Sequence, residues 1–290
     1  MTEDKKTLHK QLSRSGYPFQ LRVEKAVLST EQQHGWRVVT REQGWENPET
    51  NSAGFIDLLL QHGEMSTLRL VVECKRQRGD DPRALQWLFL IPKEEASEKD
   101  RVRCLSVEAW KSSSEPFNVM SAWDDVRVTP ASLESQFCVL QSDEPRRQPI
   151  LESLCSELLE SIEGLAEEES NIVRADSSSY ASVRAFYIPV VITNAQLRVC
   201  QFETDSISLT DGVIPEDTYQ MMDVPFVRFR KSLAHAFQHD EQITNLEQAN
   251  RARERTVFVV NAERLTDFLT GWQLDPSDAF SGYKLQQRHR

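Results

Sequence analysis

The chain of 290 residues holds only 10 glycines and 5 cysteines, and nowhere is it apolar for the ~20 consecutive residues that a membrane-spanning helix needs. Its glycines are not gathered into a phosphate-cradling loop, and no G-x-S-x-G elbow occurs, which argues against nucleotide-driven motors and serine hydrolases. Cys74, Cys104, Cys138, Cys155 and Cys200 are odd in number and widely spaced, without a C-x-x-C pair. They read as reduced thiols, not as a disulfide framework or a zinc knuckle. His235 and His239 have the i,i+4 spacing of helical metal ligands, but no Cys or Glu-rich partner lies near them in sequence, so they read as ordinary polar positions. Residues 1 to 12 are polar and charged where a secretion signal would be apolar. A cytoplasmic protein with no membrane partner is the expectation. Positive charge is also short: 34 Lys and Arg stand against 45 Asp and Glu, a net charge of −11. Long-range repulsion then opposes non-specific binding to phosphate.

What the chain does have is a hairpin pattern at residues 53 to 78, AGFIDLLLQHGEMSTLRLVVECKRQR. Asp57 interrupts one apolar run, and the triplet Glu73, Cys74, Lys75 ends the next. Taking an ion out of water is costly unless a partner or a metal compensates, so three charges in two such runs point to a built site. Side chains alternate along a strand. Phe55, Asp57 and Leu59 are expected on one face, with Ile56, Leu58 and Leu60 on the other. On the second strand Val71, Glu73, Lys75 and Gln77 share a face, opposite Leu70, Val72 and Cys74. Pairing the two charged faces brings Asp57 and Glu73 within reach of one cation. Hard carboxylate oxygens select Mg²⁺ or Mn²⁺ over zinc, and a further carboxylate or a substrate phosphate would complete the charge balance.

Upstream, residues 17 to 34 predict a helix, with Phe19, Val23, Ala26 and Val27 at helical spacing and Gly35 in the stop position. Glu24 falls at the edge of that apolar face and is expected to point toward the sheet. A helix with an inward acid, a strand, a strand with Asp and a strand with Glu-x-Lys: this order resembles the PD-(D/E)xK nuclease superfamily, the restriction-endonuclease-like fold. The resemblance covers the first third of the chain directly. It implies an α/β protein with a mixed sheet and an αβββαβ core continuing to Thr193. It further implies that Asp57, Glu73 and the main-chain carbonyl of Cys74 bind Mg²⁺ or Mn²⁺, with Glu24 as an added metal-binding and catalytic acid. Lys75 would orient or deprotonate the attacking water, and Gln77 stands where some members keep another polar site residue. Ile56 occupies the position before the Asp, where the motif's name has Pro.

The activity implied is Mg²⁺-dependent hydrolysis of nucleic acid, with DNA favoured over RNA, by an endonuclease of bacterial defence or repair. A homodimer would serve to cut both strands. The alternative is a catalytically silent nuclease-like subunit that engages a protein partner through its acidic surface. A plainer reading also exists, in which Glu73 and Lys75 are a solvated pair and Asp57 and Glu24 are surface acids. The apolar residues Leu58, Leu59 and Leu60, and Leu70, Val71 and Val72, argue against it, because they read as central strands buried on both faces.

Residues 1 to 80 carry 12 Lys and Arg against 11 Asp and Glu, so the excess acid lies downstream. Much of it is in residues 151 to 176, with eight acids and one Arg. Candidate nucleic-acid contacts are therefore local: Arg76 and Arg78 beside the triplet, and Arg228, Arg230 and Lys231 in PFVRFRKSL. Arg251, Arg253 and Arg255 form a third group. Each group reads equally well as a solvated face or as partners of the acidic helix.

Residues 81 to 147 read as an insertion between core elements, with strands at 86 to 91, 102 to 110 and 136 to 140 separated by a Ser-, Pro- and Asp-rich stretch around Trp123. Apolar spacing from Ile150 to Leu165 predicts a helix over 149 to 169, and 171 to 182 a flexible connection. Residues 185 to 193 predict a core strand in which Pro189 marks a bulge or an edge, and Asn194 and Ala195 a turn. Residues 148 to 203 would complete the core. Residues 204 to 290 read as a C-terminal extension packed on it, with strands at 207 to 209, 225 to 229 and 256 to 260, helices at 231 to 253 and 263 to 269, and a basic tail.

Overall fold

The computed structural model describes residues 3–48, 50–62, 66–77, 85–110, 118–140, 150–175, 182–232 and 245–275. Helices α1 (Glu3–Arg14) and α2 (Tyr17–His34) lead into β1 (Trp36–Asn47), β2 (Ser52–His62) and β3 (Ser66–Lys75). Then come β4 (Gln86–Pro92), β5 (Lys99–Trp110), β6 (Asn118–Ser132), β7 (Glu134–Ser135) and β8 (Phe137–Leu140). Helix α3 (Ile150–Ala175) precedes β9 (Ser182–Thr193), β10 (Gln196–Phe202), β11 (Tyr219–Asp223) and β12 (Phe226–Ser232). The chain continues through α4 (Leu246–Arg253), β13 (Glu254–Asn261), α5 (Leu265–Gly271) and β14 (Gln273–Leu274).

The protein is of the mixed α/β class, built on a ten-stranded sheet whose main path runs β1-β2-β3-β9-β13-β12-β7. β1, β2 and β3 form an antiparallel meander, whereas β9 runs parallel to β3 and β13 parallel to β9. A second sheet of four strands has the order β11-β10-β4-β8. One face of the large sheet is covered by α2 and α5, through a core that includes Val23, Val27, Leu58, Leu70, Val72, Ile188 and Phe268. The other carries α3 and the small sheet, through Ile56, Leu59, Val71, Leu158, Ile162, Tyr187, Trp87 and Phe89. β9 alternates between the two cores, Tyr187 and Val191 on one side and Phe186, Ile188, Val190 and Ile192 on the other. That is why its sequence from 185 to 192 is apolar: neither face meets water there. Among the described residues no helix is long and apolar enough to cross a membrane.

Two helices match their sequence signals. α2 ends at Gly35, whose φ of 74° is the left-handed conformation that a residue with a side chain adopts only at a cost, and its N–H bonds to the Glu31 carbonyl. In α3, Leu154, Leu158, Ile162 and Leu165 are buried as their spacing requires, but the helix runs past 169 to Ala175. The segment from 171 therefore begins as helix and not as a connection. Gly164 is where α3 meets β1: an added Cβ there would stand 2.6 Å from the Glu46 carbonyl oxygen.

Other expectations change. The stretch around Trp123 is not a separator. It is β6, paired antiparallel along β5, because Trp123 on one face and Val126 and Val128 on the other find cores that outweigh its polar composition. Residues 207 to 209 form no strand; they lead into the turn at Asp211 and Gly212, where Gly212 N–H bonds to the Ser208 carbonyl. Lys231 and Ser232 close strand β12 and are not helix, whereas Leu246–Arg253 is helix α4; residues 233 to 244, with His235 and His239, lie outside the described residues, as do Arg78 and the basic tail. Pro189 is neither in a bulge nor at an edge. One side of β9 pairs with β3 throughout, whereas its other side pairs with β5 up to Tyr187 and with β13 from Val190. The residue that cannot donate a ladder hydrogen bond sits in the seam between those two partners. Through β5 and β13, segments 81–147 and 204–290 both supply strands to the main sheet, hydrogen-bonded directly to β9.

Candidate active site

β2 and β3 pair from His62 opposite Leu68 to Leu58 opposite Val72. β3 then continues to Lys75 on the β9 side alone, up to the pair Lys75 and Thr193. One step beyond the last rung, the register sets Asp57 against Glu73. There β2 turns away: Ile56 joins the α3-side core with Leu59, whereas Leu58 and Leu60 lie in the α2-side core. The expected common face for Ile56, Leu58 and Leu60 is therefore broken at Asp57. In the gap, the Asp57 Oδ2 accepts from the Cys74 N–H at 2.6 Å, so a side-chain oxygen satisfies a main-chain donor where the ladder ends.

Glu73 projects to the α3 side, as Val71 does, and lines a cavity of about 280 Å³ with Leu154, Glu157, Leu158 and Ser161 of α3. A larger cavity of about 910 Å³ adjoins it, since both are lined by Trp45, Ala53, Gly54 and Phe55. Burial pushes the Glu73 carboxyl up to about 8; the charge of Asp57 pushes in the same direction, Lys75 opposes it, and Glu157 and Glu42 add smaller upward effects. The Asp57 carboxyl is also raised by burial, against the bond from Cys74. Two carboxyl groups that both resist ionisation, with one Lys in electrostatic reach, form a site short of positive charge.

The sequence-derived residues divide three ways. Asp57, Glu73 and Lys75 meet at the splay, with the Cys74 main chain between them. Gln77 is anchored nearby, its N–H donating to Asn194 Oδ1 at 2.6 Å and its carbonyl accepting from Asn194 Nδ2 at 3.2 Å. Arg76 follows the triplet and is partly buried. Glu24 is engaged in an ion pair, its carboxylate 3.4 Å from Arg41 of β1. The PFVRFRKSL group is turned inward. Arg228 is fully buried, donates to Ser132 Oγ at 2.5 Å and stacks over Phe258, so it offers nothing to a polyanion at the surface. Burial lowers its pKa to about 10. Arg230 pairs with Glu134 and Glu254, and Lys231 with Glu152 of the acidic helix at 3.1 Å. Of the third group, Arg255 is buried against Trp123.

Two site residues escape a reading of the sequence. Gln20 shares the buried stripe of α2 with Val23 and Val27, at i, i+3 and i+7, and its Nε2 donates to the Glu42 carboxylate at 2.6 Å and to the Asp57 carbonyl at 3.0 Å. A polar residue on an apolar stripe was the available signal. Glu42, with φ of 51°, stands opposite Asp57 between the pairs Arg41 with Leu58 and Gln43 with Ile56. No sequence pattern marks it. Among the described residues no three His, Cys, Asp or Glu side chains converge closely enough to hold a metal ion by themselves.

These features define a mixed α/β protein with a carboxylate-and-lysine site at the splayed end of its meander. No family model, curated protein or solved structure matches the chain.

Proposed function

We propose that this chain is a divalent-metal-dependent nuclease of the PD-(D/E)xK type, with DNA the favoured substrate. The observation that carries the reading is the meeting of Asp57, Glu73 and Lys75 where β2 and β3 part. The order α2, β1, β2, β3, then α3 and a β9 parallel to β3, supports it, since a restriction-endonuclease-like αβββαβ core has that sequence of elements.

The donor set fits a hard cation. Asp57, Glu73 and the Cys74 main-chain carbonyl are oxygen ligands, and the carboxyls, raised first by burial and further by neighbouring carboxylates, would be favoured in their ionised form by a cation. Mg²⁺ binds through one or two carboxylates plus substrate phosphate and water, so a third converging carboxylate is not required. When bound, Mg²⁺ or Mn²⁺ supplies Lewis-acid polarisation of the phosphate and a lower pKa for water. The chain's own residues do the rest. Lys75 brings an ammonium to the same face as Glu73, where it orients the attacking water and offsets the charge gathering on the phosphate. α3 and the wall from Trp45 to Phe55 bound the space beside them.

Delivery of substrate falls to other means than bulk charge. With a net charge of −11 and Arg228, Arg230 and Lys231 engaged inside the fold, a protein partner or the Arg76 edge positions the nucleic acid. The test is a cleavage panel over linear, circular and single-stranded DNA and RNA, with Mg²⁺ and with EDTA. Cleavage dependent on metal and lost in Lys75→Ala is expected. Equal cleavage by wild type and Lys75→Ala would sink the nuclease reading, and metal binding without cleavage on any substrate would favour the silent subunit.

A further inference from the structure

We infer that Gln20 is a positioning residue of the proposed site and that Glu42, not Glu24, provides its third carboxylate. The inference rests on the nuclease reading and adds residues that the motif does not name. Gln20 is a polar side chain inside the protein, only 6% exposed, and its amide must find partners there. One nitrogen finds two: the Glu42 carboxylate at 2.6 Å and the main-chain carbonyl of Asp57 at 3.0 Å. Both acceptors belong to a rung missing from the β1–β2 ladder, flanked by Arg41 with Leu58 and Gln43 with Ile56. A single amide thus ties α2 to the Asp57 peptide and to the residue across from it.

The consequence for the site is electrostatic. Glu42 lies near enough for its charge to act on both Asp57 and Glu73, whereas Glu24 is engaged with Arg41. Because among the described residues no three acidic side chains converge closely enough to hold a metal ion, Glu42 acts on a bound cation through its field and through water, not as a direct ligand. Gln20 fixes the position of that carboxylate beside Asp57 and ties the Asp57 main chain to α2. Outer groups that orient and charge-balance metal ligands set affinity even without touching the ion.

The experiment measures Mn²⁺ binding to the full chain by electron paramagnetic resonance at pH 8, in wild type, Glu42→Gln, Gln20→Met and Glu24→Gln, with circular dichroism confirming folding. Glu42→Gln keeps an oxygen for the Gln20 amide and removes only the charge, at an exposed position where folding is not at stake. Glu42→Gln and Gln20→Met should each weaken Mn²⁺ binding about tenfold, whereas Glu24→Gln should stay within about twofold of wild type. A Mg²⁺ titration of cleavage should show the same variants shifted in metal requirement more than in the rate at saturation. If Gln20→Met fails to fold, Glu42→Gln decides. Binding by Glu42→Gln equal to wild type, or a loss in Glu24→Gln instead, overturns the inference and leaves the nuclease reading standing. A wild type that binds no Mn²⁺ overturns both.

Discussion

Two charged clusters draw on strand β3, and they are balanced in opposite ways. At one, Arg69 of β3 donates to Glu169 of α3 and, at 2.7 Å, to the Tyr187 hydroxyl of β9, which itself donates to Glu169. Burial holds the Tyr187 phenol well above its usual pKa, so the cluster is one cation, one anion and a neutral hydroxyl. At the other, Lys75 is the cation among the described residues whose charge acts on both Asp57 and Glu73, with Glu42 nearby, and Glu73 keeps its proton up to about 8. A closed set of charges is a fastening that needs nothing more from solution. An open set is a place prepared for something positive. Burial alone does not distinguish them; the count of charges and donors does.

The comparison breaks most visibly in activity. Asp57→Asn, which retains an oxygen for the Cys74 N–H, and Lys75→Ala should each lower Mg²⁺-dependent cleavage by a factor on the order of 10² to 10⁴ while the urea midpoint hardly moves. Retained cleavage in both variants would remove the open cluster from the chemistry. The closed cluster should respond in the other currency, stability. Arg69→Met leaves Glu169 facing a buried hydroxyl without its cation and should cost about 3–5 kcal/mol in urea unfolding. A loss below about 1 kcal/mol would mean that the network is only a surface pair.

Between the two clusters lies the close approach of α3 to β1. Gly164→Ala forces a methyl against the Glu46 carbonyl and should destabilise by about 1–3 kcal/mol. Gly164 lines the larger cavity that adjoins the one Glu73 lines, so the substitution should also change cleavage by more than the stability loss alone would give.

The subtlest test is the pH dependence. Between the ordinary carboxyl value of 4.5 and about 8, the folded chain holds a proton on Glu73 that the unfolded chain has released. Stability due to this group therefore falls as pH rises through that window, and the raised Asp57 adds to the same slope. Glu73→Gln should flatten the decline in melting temperature from pH 5 to 9. Mg²⁺ should stabilise the wild type more at pH 9 than at pH 5, because the ion binds the ionised carboxylates. A Glu73→Gln profile parallel to wild type would show that the carboxyl is not the source of the slope.

How much of this was legible in the residues varies with the range over which the signal is written. α2 and the long helix α3 are local: apolar spacing, a glycine stop and a buried stripe lie within one segment. The motif hairpin is nearly local, and its alternation places Glu73 and Lys75 on one face. β6 was hidden because a polar, Pro-containing stretch becomes strand only when β5 and the cores on either side receive it. Residues 207 to 209 failed in the opposite way, as apolar alternation without a partner strand. Gln20 and Glu24, four residues apart, differ by only about 40° around the helix, finer than a periodic pattern resolves. Arg228, Arg230 and Lys231 look like an anion-binding run in sequence. Only the positions of Ser132, Glu134 and Glu152, far away in the chain, show them to be internal fastenings.

By itself, the sequence determined that this is a mixed α/β chain with long helices at 17 to 34 and from 150, and that Asp57, Glu73 and Lys75 are out of place in apolar strands. Those facts follow from the period of side chains along helix and strand and from the cost of burying charge. Tertiary structure alone decided that β2 leaves β3 at Asp57, that Glu42 faces the gap under the hold of Gln20, and that one cluster is closed and the other open. Those outcomes depend on which distant groups arrive at a point, and a balance of charge can be drawn up only once they have met.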